Sequence, residues 1–138
     1  KEAREEAASR IINDTSFRAV GSDVDPECVR IARESARRAG VDDVTEFFVA
    51  DARDIETGDV RGTIVTNPPY GERLMTLREA EGLYRDVGRA FSRLDRWQMY
   101  ILTSHEGFQK FFGRRADKVK KLYNGMIPSY LYEYYKNK

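Results

Sequence analysis

Cysteine and histidine are almost absent from this chain, with one of each in 138 residues. A single thiol, Cys28, excludes an intrachain disulfide and fits a reducing compartment. Together with His105 it cannot make the four-ligand set of a structural zinc site, so no metal is expected. No apolar run reaches bilayer length and no signal-peptide pattern is present, so a membrane partner is not expected and the cytoplasm is the expected location. Charge of one sign is also lacking. The net charge is +1, so an RNA partner must be argued from where charges lie, not from their sum. Proline is scarce at four residues, which makes the adjacent pair Pro68-Pro69 conspicuous.

Apolar content, by contrast, is ample at 41%, enough for one globular domain. The chain begins at Lys1 in what reads as mid-helix, with Ala3, Ala7, Ala8, Ile11 and Ile12 on one face. It is therefore read as part of something longer. A strand is expected over 17–24. Asp25-Pro26 then opens a helix that runs to about Ala39, with Asp25 as cap, proline at the first helical position and Gly40 as stop. A second strand covers 44–49 and a third 63–66. A long helix over about 76–94 carries Leu77, Ala80, Tyr84, Val87, Phe91 and Leu94 at helical spacing. Residues 97–103 read as a strand, 106–112 as a short helix, and 119–123 and 130–135 as two last strands. Strands alternating with helices imply a parallel α/β sheet. The short link 124–128, bearing Gly125 and Pro128, forces its two strands to be antiparallel, so one antiparallel strand is expected at the end.

Three segments carry candidate chemistry, and each ends a strand, where ligands sit in open α/β sheets. Gly21-Ser22-Asp23-Val24-Asp25-Pro26 offers Asp23, a carboxylate able to accept from both hydroxyls of a ribose. Asp51, in Ala50-Asp51-Ala52, could accept from an adenine amino group beside the Ala52 amide; taken alone it reads rather as an ordinary loop aspartate. Asn67-Pro68-Pro69-Tyr70 is the most specific. Two prolines have no N–H and fix φ near about −65°, so they make a stiff strand-end loop with carbonyls seeking donors. The Asn67 side-chain oxygen and the Pro68 carbonyl can accept both hydrogens of a substrate amino group, and Tyr70 offers a face for a flipped base.

The order of these segments resembles class I S-adenosylmethionine methyltransferases that act on amino groups. The strings Thr66-Asn67-Pro68-Pro69-Tyr70-Gly71-Glu72-Arg73-Leu74, Thr103-Ser104-His105-Glu106 and Leu122-Tyr123-Asn124-Gly125 narrow the likeness. They are similar to the THUMP-associated RNA guanine methyltransferases, especially the bacterial large-subunit ribosomal RNA enzymes that make N(2)-methylguanosine. The resemblance implies a Rossmann-like class I methyltransferase sheet, S-adenosyl-L-methionine as cofactor and ribosomal RNA as partner. It implies that Asp23 binds the cofactor ribose, Val24 packs on its adenine, and Asp51 and Ala52 meet the adenine edge. Asn67 and Pro68 would hold the target amino group, with Pro69 stiffening the loop and Tyr70 stacking the base.

The family's glycine-rich loop, of the type Asp-Pro-x-Cys-Gly-Ser-Gly-Thr, has no counterpart in these residues. Residues 1–138 are accordingly expected to be a single, partial catalytic domain. The first strand would lie between the strands ending at Asp23 and Asn67. Alone, the chain is expected to be inactive and to associate through exposed sheet edges. Arg73 is a candidate contact for an RNA phosphate, and Arg114, Arg115, Lys118, Lys120 and Lys121 are either an RNA-facing edge or charges that guard an edge strand. His105, at a strand end, could face the substrate cleft but reads rather as a residue that caps the next short helix or bonds locally; Cys28 reads as a packing residue remote from the site, and Tyr130, Tyr132 and Tyr134 as a strand face packed on helices. Rival readings are an adenine amino methyltransferase on DNA or RNA, a release-factor glutamine methyltransferase, and a non-catalytic RNA-binding or assembly module.

Overall fold

The computed structural model describes residues 17–57, 61–69, 76–94 and 96–135. The expected opening helix, Tyr70 and Arg73 lie outside the described residues. The chain divides into two compact units, Lys1–Asp51 and Ala52–Lys138.

In the first unit, β1 (Ala19–Asp23) and β2 (Thr45–Val49) form a parallel ladder, joined by α1 (Pro26–Ala39). The crossover is long enough for parallel pairing because the helix carries the chain back. Both ends of α1 are built as the residues dictate. The Asp25 carboxylate accepts from the Glu27 amide at 2.9 Å, and Gly40 takes a left-handed φ of 74° that returns its N–H to the last turn. Val29 and Ala36 bury one helical stripe. Gly21 lies under the Phe47 ring, which would meet any Cβ at position 21.

The second unit is a four-stranded sheet in the order β3-β4-β6-β5, from β3 (Gly62–Thr66), β4 (Trp97–Thr103), β5 (Lys118–Asn124) and β6 (Ile127–Tyr134). β3 and β4 run parallel, β6 runs against both of its neighbours, and so β6 is the one reversed strand. It is last in the chain but second from the sheet edge, because it inserts between β4 and β5. It also begins earlier than its sequence suggests. Pro128, expected in the link, is paired with Tyr123 inside the hairpin. Proline is tolerated there because the β4–β6 ladder starts only at Tyr130, opposite Thr103, so at Pro128 the other side of β6 has no strand to receive an N–H.

One face of this sheet holds the core. Register places Met99, Ile101 and Thr103 of β4 beside Tyr134, Tyr132 and Tyr130 of β6, and α2 (Leu77–Phe91) and α3 (Phe108–Phe112) cover them. Tyr132 and Tyr134 pack on Phe108 and Phe112 at ring distances of 5.1 and 5.0 Å, which is the helix packing expected for the tyrosine face. Burying each large ring is worth roughly 1.5–3 kcal/mol.

Among the described residues β1 and β3 are each paired on one side only. These are the two edges between which the sequence reading placed a further strand. Val20 of β1 and Val65 of β3 are exposed, Val65 at 78%.

Candidate functional site

Parallel, in-register pairing brings the strand-end residues of the first unit to one edge. Asp23 stands opposite Val49, and the Ala50 amide donates to the Asp23 carbonyl at 3.1 Å. Asp51 follows directly. The Asp23 carboxylate is exposed, and its Oδ1 accepts from the Asp25 amide at 2.8 Å. That bond orients the group and leaves it further lone pairs, which suits a diol. Val24 is exposed at the strand end and Asp51 is half-buried, a surface compatible with an adenine ring and its amino edge. Ala52 opens a single 3-10 turn, Ala52–Asp54.

Cys28 corrects the packing expectation. It is exposed in the first turn of α1, with Sγ 3.7 Å from Asp25 Oδ2, rather than buried among apolar groups. Desolvation, then the Asp23 and Asp25 carboxylates, push its thiol above the ordinary value. The reason is helical phase: position 28 lies off the stripe defined by Val29 and Ala36.

In the second unit, Asn67 follows the last β3–β4 pair, Thr66 with Ile101, at the carboxyl end of the ladder. Asn67 is exposed while Pro68 and Pro69 are half-buried. The Pro69 carbonyl turns inward and accepts from the Tyr84 hydroxyl at 2.8 Å. The Tyr84 hydroxyl in turn lies 3.3 Å from Thr103 Oγ1, which also accepts from the His105 amide at 3.2 Å. Both ring nitrogens of His105 are engaged, one locally and one with α2. Its Nδ1 accepts from the Gly107 amide at 2.9 Å and its Nε2 meets Glu81 Oε2 at 2.7 Å. Of the two local readings of His105, the local hydrogen bond is what the structure shows; the cap position of α3 is Gly107, which makes no side-chain cap bond. The sequence reading missed Tyr84 and Thr103 as supports of the loop. The signals were present: a tyrosine in an otherwise aliphatic and phenylalanine stripe, and a buried threonine at a strand end.

The basic cluster does not form one patch. Arg114 donates to the Tyr135 carbonyl at 3.2 Å, lies 5.2 Å over the Tyr134 ring and pairs with Asp117 at 3.8 Å. Lys118 and Lys120 share one face of edge strand β5, where Lys120 meets Glu133 at 3.5 Å. Lys121 points to the opposite face and lies 5.5 Å over the Tyr123 ring. A hydrogen bond with Tyr123 is the main cause holding its ammonium above the ordinary value. The hairpin that carries this pair runs three residue pairs beyond the last β4–β6 pair, on the edge where Asn67 lies, and exposes Tyr123, Met126 and Ile127. Arg115 is exposed. Among the described residues no group of three or more His, Cys, Asp or Glu could hold a metal, and no helix is long and apolar enough to cross a membrane.

A parallel ladder ending in two aspartates, a second ladder ending in Asn-Pro-Pro, and a reversed last strand define an α/β fold of the Rossmann-like class I methyltransferase type. Residues 1–133 match the family of RMKL-like methyltransferase domains, and the chain belongs to it. The YpsC protein of Bacillus subtilis (strain 168) is 41% identical over 133 residues, covering 96% of this chain and 34% of that protein. Ribosomal RNA large subunit methyltransferase K/L of Legionella pneumophila (strain Lens) is 41% identical over 114 residues, 82% of this chain and 16% of that protein. The crystal structure of SMU.472 complexed with SAH superposes with a TM-score of 0.91 at 37% identity, covering 99% of this chain and 36% of that one. The chain thus spans about a third or less of the relatives it matches.

Proposed function

We propose that this chain is the catalytic part of an S-adenosyl-L-methionine-dependent methyltransferase that acts on an exocyclic amino group of RNA, the N2 of guanine in ribosomal RNA. The observation that carries the reading is the Asn67-Pro68-Pro69 loop at the carboxyl end of β3, with its last carbonyl tied inward and Asn67 exposed. The large-subunit ribosomal RNA name of the Legionella relative supports RNA as substrate, and the SAH-bound neighbour supports the cofactor.

The cofactor supplies an electrophilic methyl group on a sulfonium. In this reading Asp23 accepts from its ribose hydroxyls, Val24 packs on its adenine, and Asp51 with the Ala52 amide meets the adenine edge. Asn67 Oδ1 and the Pro68 carbonyl accept the two hydrogens of the target amino group and favour a pyramidal nitrogen. That pose would aim the nitrogen lone pair at the methyl group that the bound cofactor would supply, and the surplus proton would pass from nitrogen to solvent. Orientation is the main contribution, for which effective molarities can be large. Tyr70 stacks the base, Arg73 meets an RNA phosphate, and Lys121 with Tyr123 forms a second contact. Arg115, Lys118 and Lys120 add charge along the β5 edge, and we place the protein in the cytoplasm. We also propose that residues 1–138 form one partial catalytic domain.

Methyl transfer from tritiated S-adenosylmethionine, measured with the full-length protein on ribosomal RNA, DNA and release-factor protein, tests the reading. Label in N2-methylguanosine that is lost on Asn67→Ala is the expected result. Label in adenine or glutamine would move the substrate to a rival. No transfer to any substrate, with RNA still bound, would leave the non-catalytic RNA-binding module.

A further inference from the structure

Two adjacent prolines leave the catalytic loop with no N–H at positions 68 and 69, so it cannot lock itself through its own backbone bonds. Proline rings fix φ at both positions, and the main freedom left is the ψ that aims each carbonyl. The second carbonyl is aimed from outside. Tyr84, 1% exposed on α2, has its ring edge-on to Phe108 at 5.0 Å and to His105 at 5.7 Å, and presents its hydroxyl to Pro69. A carbonyl has no hydrogen to give, so the single phenolic proton goes to Pro69. The Thr103 hydroxyl must then donate to the phenolic oxygen, and its own oxygen accepts from the His105 amide. With these directions the series runs from the main-chain amide of residue 105 through the Thr103 hydroxyl and the Tyr84 hydroxyl to the Pro69 carbonyl. Glu81, one turn before Tyr84 on α2, holds the His105 imidazole and ties the helix to the same strand end.

We propose that Tyr84 and Thr103 are positioning residues for methyl transfer: their one-way hydrogen-bond series sets the Pro69 carbonyl and thereby the attitude of Asn67 and the Pro68 carbonyl toward the target amino group. This rests on the methyltransferase reading above. Neither residue touches substrate, and both act on the rate through the loop. Acting in series, they are coupled rather than additive.

The test uses the full-length protein with Tyr84→Phe, Thr103→Val and Thr103→Ser, and a double variant that combines Tyr84→Phe with Thr103→Val. Steady-state kinetics, S-adenosylhomocysteine affinity and melting temperature are measured for each. Tyr84→Phe and Thr103→Val are each expected to lower kcat on the order of tenfold, with KM and S-adenosylhomocysteine affinity within about twofold of wild type. The double variant should be no slower than Tyr84→Phe. Thr103→Ser keeps the hydroxyl and should hold most of the rate. A purely packing role gives the reverse order, since valine keeps the shape of threonine and serine does not. Wild-type kcat in Tyr84→Phe, or Thr103→Val faster than Thr103→Ser, overturns the proposal while leaving the methyltransferase reading intact. A wild-type protein inactive on every substrate overturns both.

Discussion

Gly88 of α2 sits against the main-chain carbonyl of Phe112, so closely that any Cβ at position 88 would collide with that oxygen. This contact sets how near α3 approaches α2 over the tyrosine face. Gly82, six residues earlier in the same helix, has open space where its Cβ would be. The two glycines should therefore answer substitution with opposite signs. Gly82→Ala gains helix propensity worth about 1 kcal/mol or less. Gly88→Ala gains the same but must displace backbone, at a cost of roughly 1–3 kcal/mol or more, so the clash wins. Urea unfolding of both variants checks this; equal midpoints would remove Gly88 as the determinant of the helix contact.

Asp23 and Asp25 lie two residues apart, and the proposed function gives them different roles. Asp25→Ala removes the cap on the Glu27 amide and should cost about 1 kcal/mol of stability. Asp23→Ala should change stability less and cofactor affinity far more. Calorimetric titration with S-adenosylhomocysteine beside thermal melts separates the two, and similar affinity losses in both variants would contradict the assignment.

For RNA, the split of the basic cluster predicts a split in effect. Lys121→Ala should weaken RNA binding and reduce the salt slope by about one, as expected for one lost phosphate contact. Arg114→Ala should show in stability instead, because its guanidinium is engaged with Tyr134, the Tyr135 carbonyl and Asp117. Filter binding across a salt series distinguishes them; an unchanged slope for Lys121→Ala would take the hairpin out of the interface.

Strands β1 and β3, paired on one side only and carrying exposed Val20 and Val65, predict that the isolated 16.0 kDa chain associates. Light scattering over a concentration series reads this directly. A monodisperse monomer would mean that those edges are covered.

Alkaline pH should also lower stability. Burial pushes the Tyr132 phenol up to about 12, against an ordinary value of 10.0, and burial raises Tyr134 as well. Below pH 10 both states keep these protons and stability is flat in this respect. From about 10 to 12 the unfolded chain loses the proton first, binds fewer protons than the folded one, and stability falls as pH rises. Melting temperatures from pH 9 upward should show the decline, and Tyr132→Phe should make it shallower. A flat profile would argue against buried neutral phenols.

Much of this was legible along the chain. The cap at Asp25, the stop at Gly40, the strand 97–103 and the alternating tyrosines follow from local rules, because caps, φ preferences and period-two patterning act over a few residues. The Asn-Pro-Pro segment at the end of β3 was equally readable, since two prolines end a sheet wherever they fall.

Contacts that cross the sequence were not. Pro128 entered a strand because β6 overshoots β4, which depends on register between distant segments. Cys28 turned outward by helical phase against a specific stripe. Of the basic residues clustered in sequence, Lys118 and Lys120 took one face of edge strand β5 and Lys121 the other, while Arg114 and Arg115 lie before that strand. Above all, the donor for Pro69 comes from a residue 15 positions away on a helix, and its own partner from 19 positions further along. Which loop is the candidate for the proposed chemistry could be read from the residues alone, because stiffness and free acceptors are local properties. What holds that loop in place emerged only in three dimensions, because a hydrogen bond between side chain and distant backbone exists only once packing has brought the two within reach.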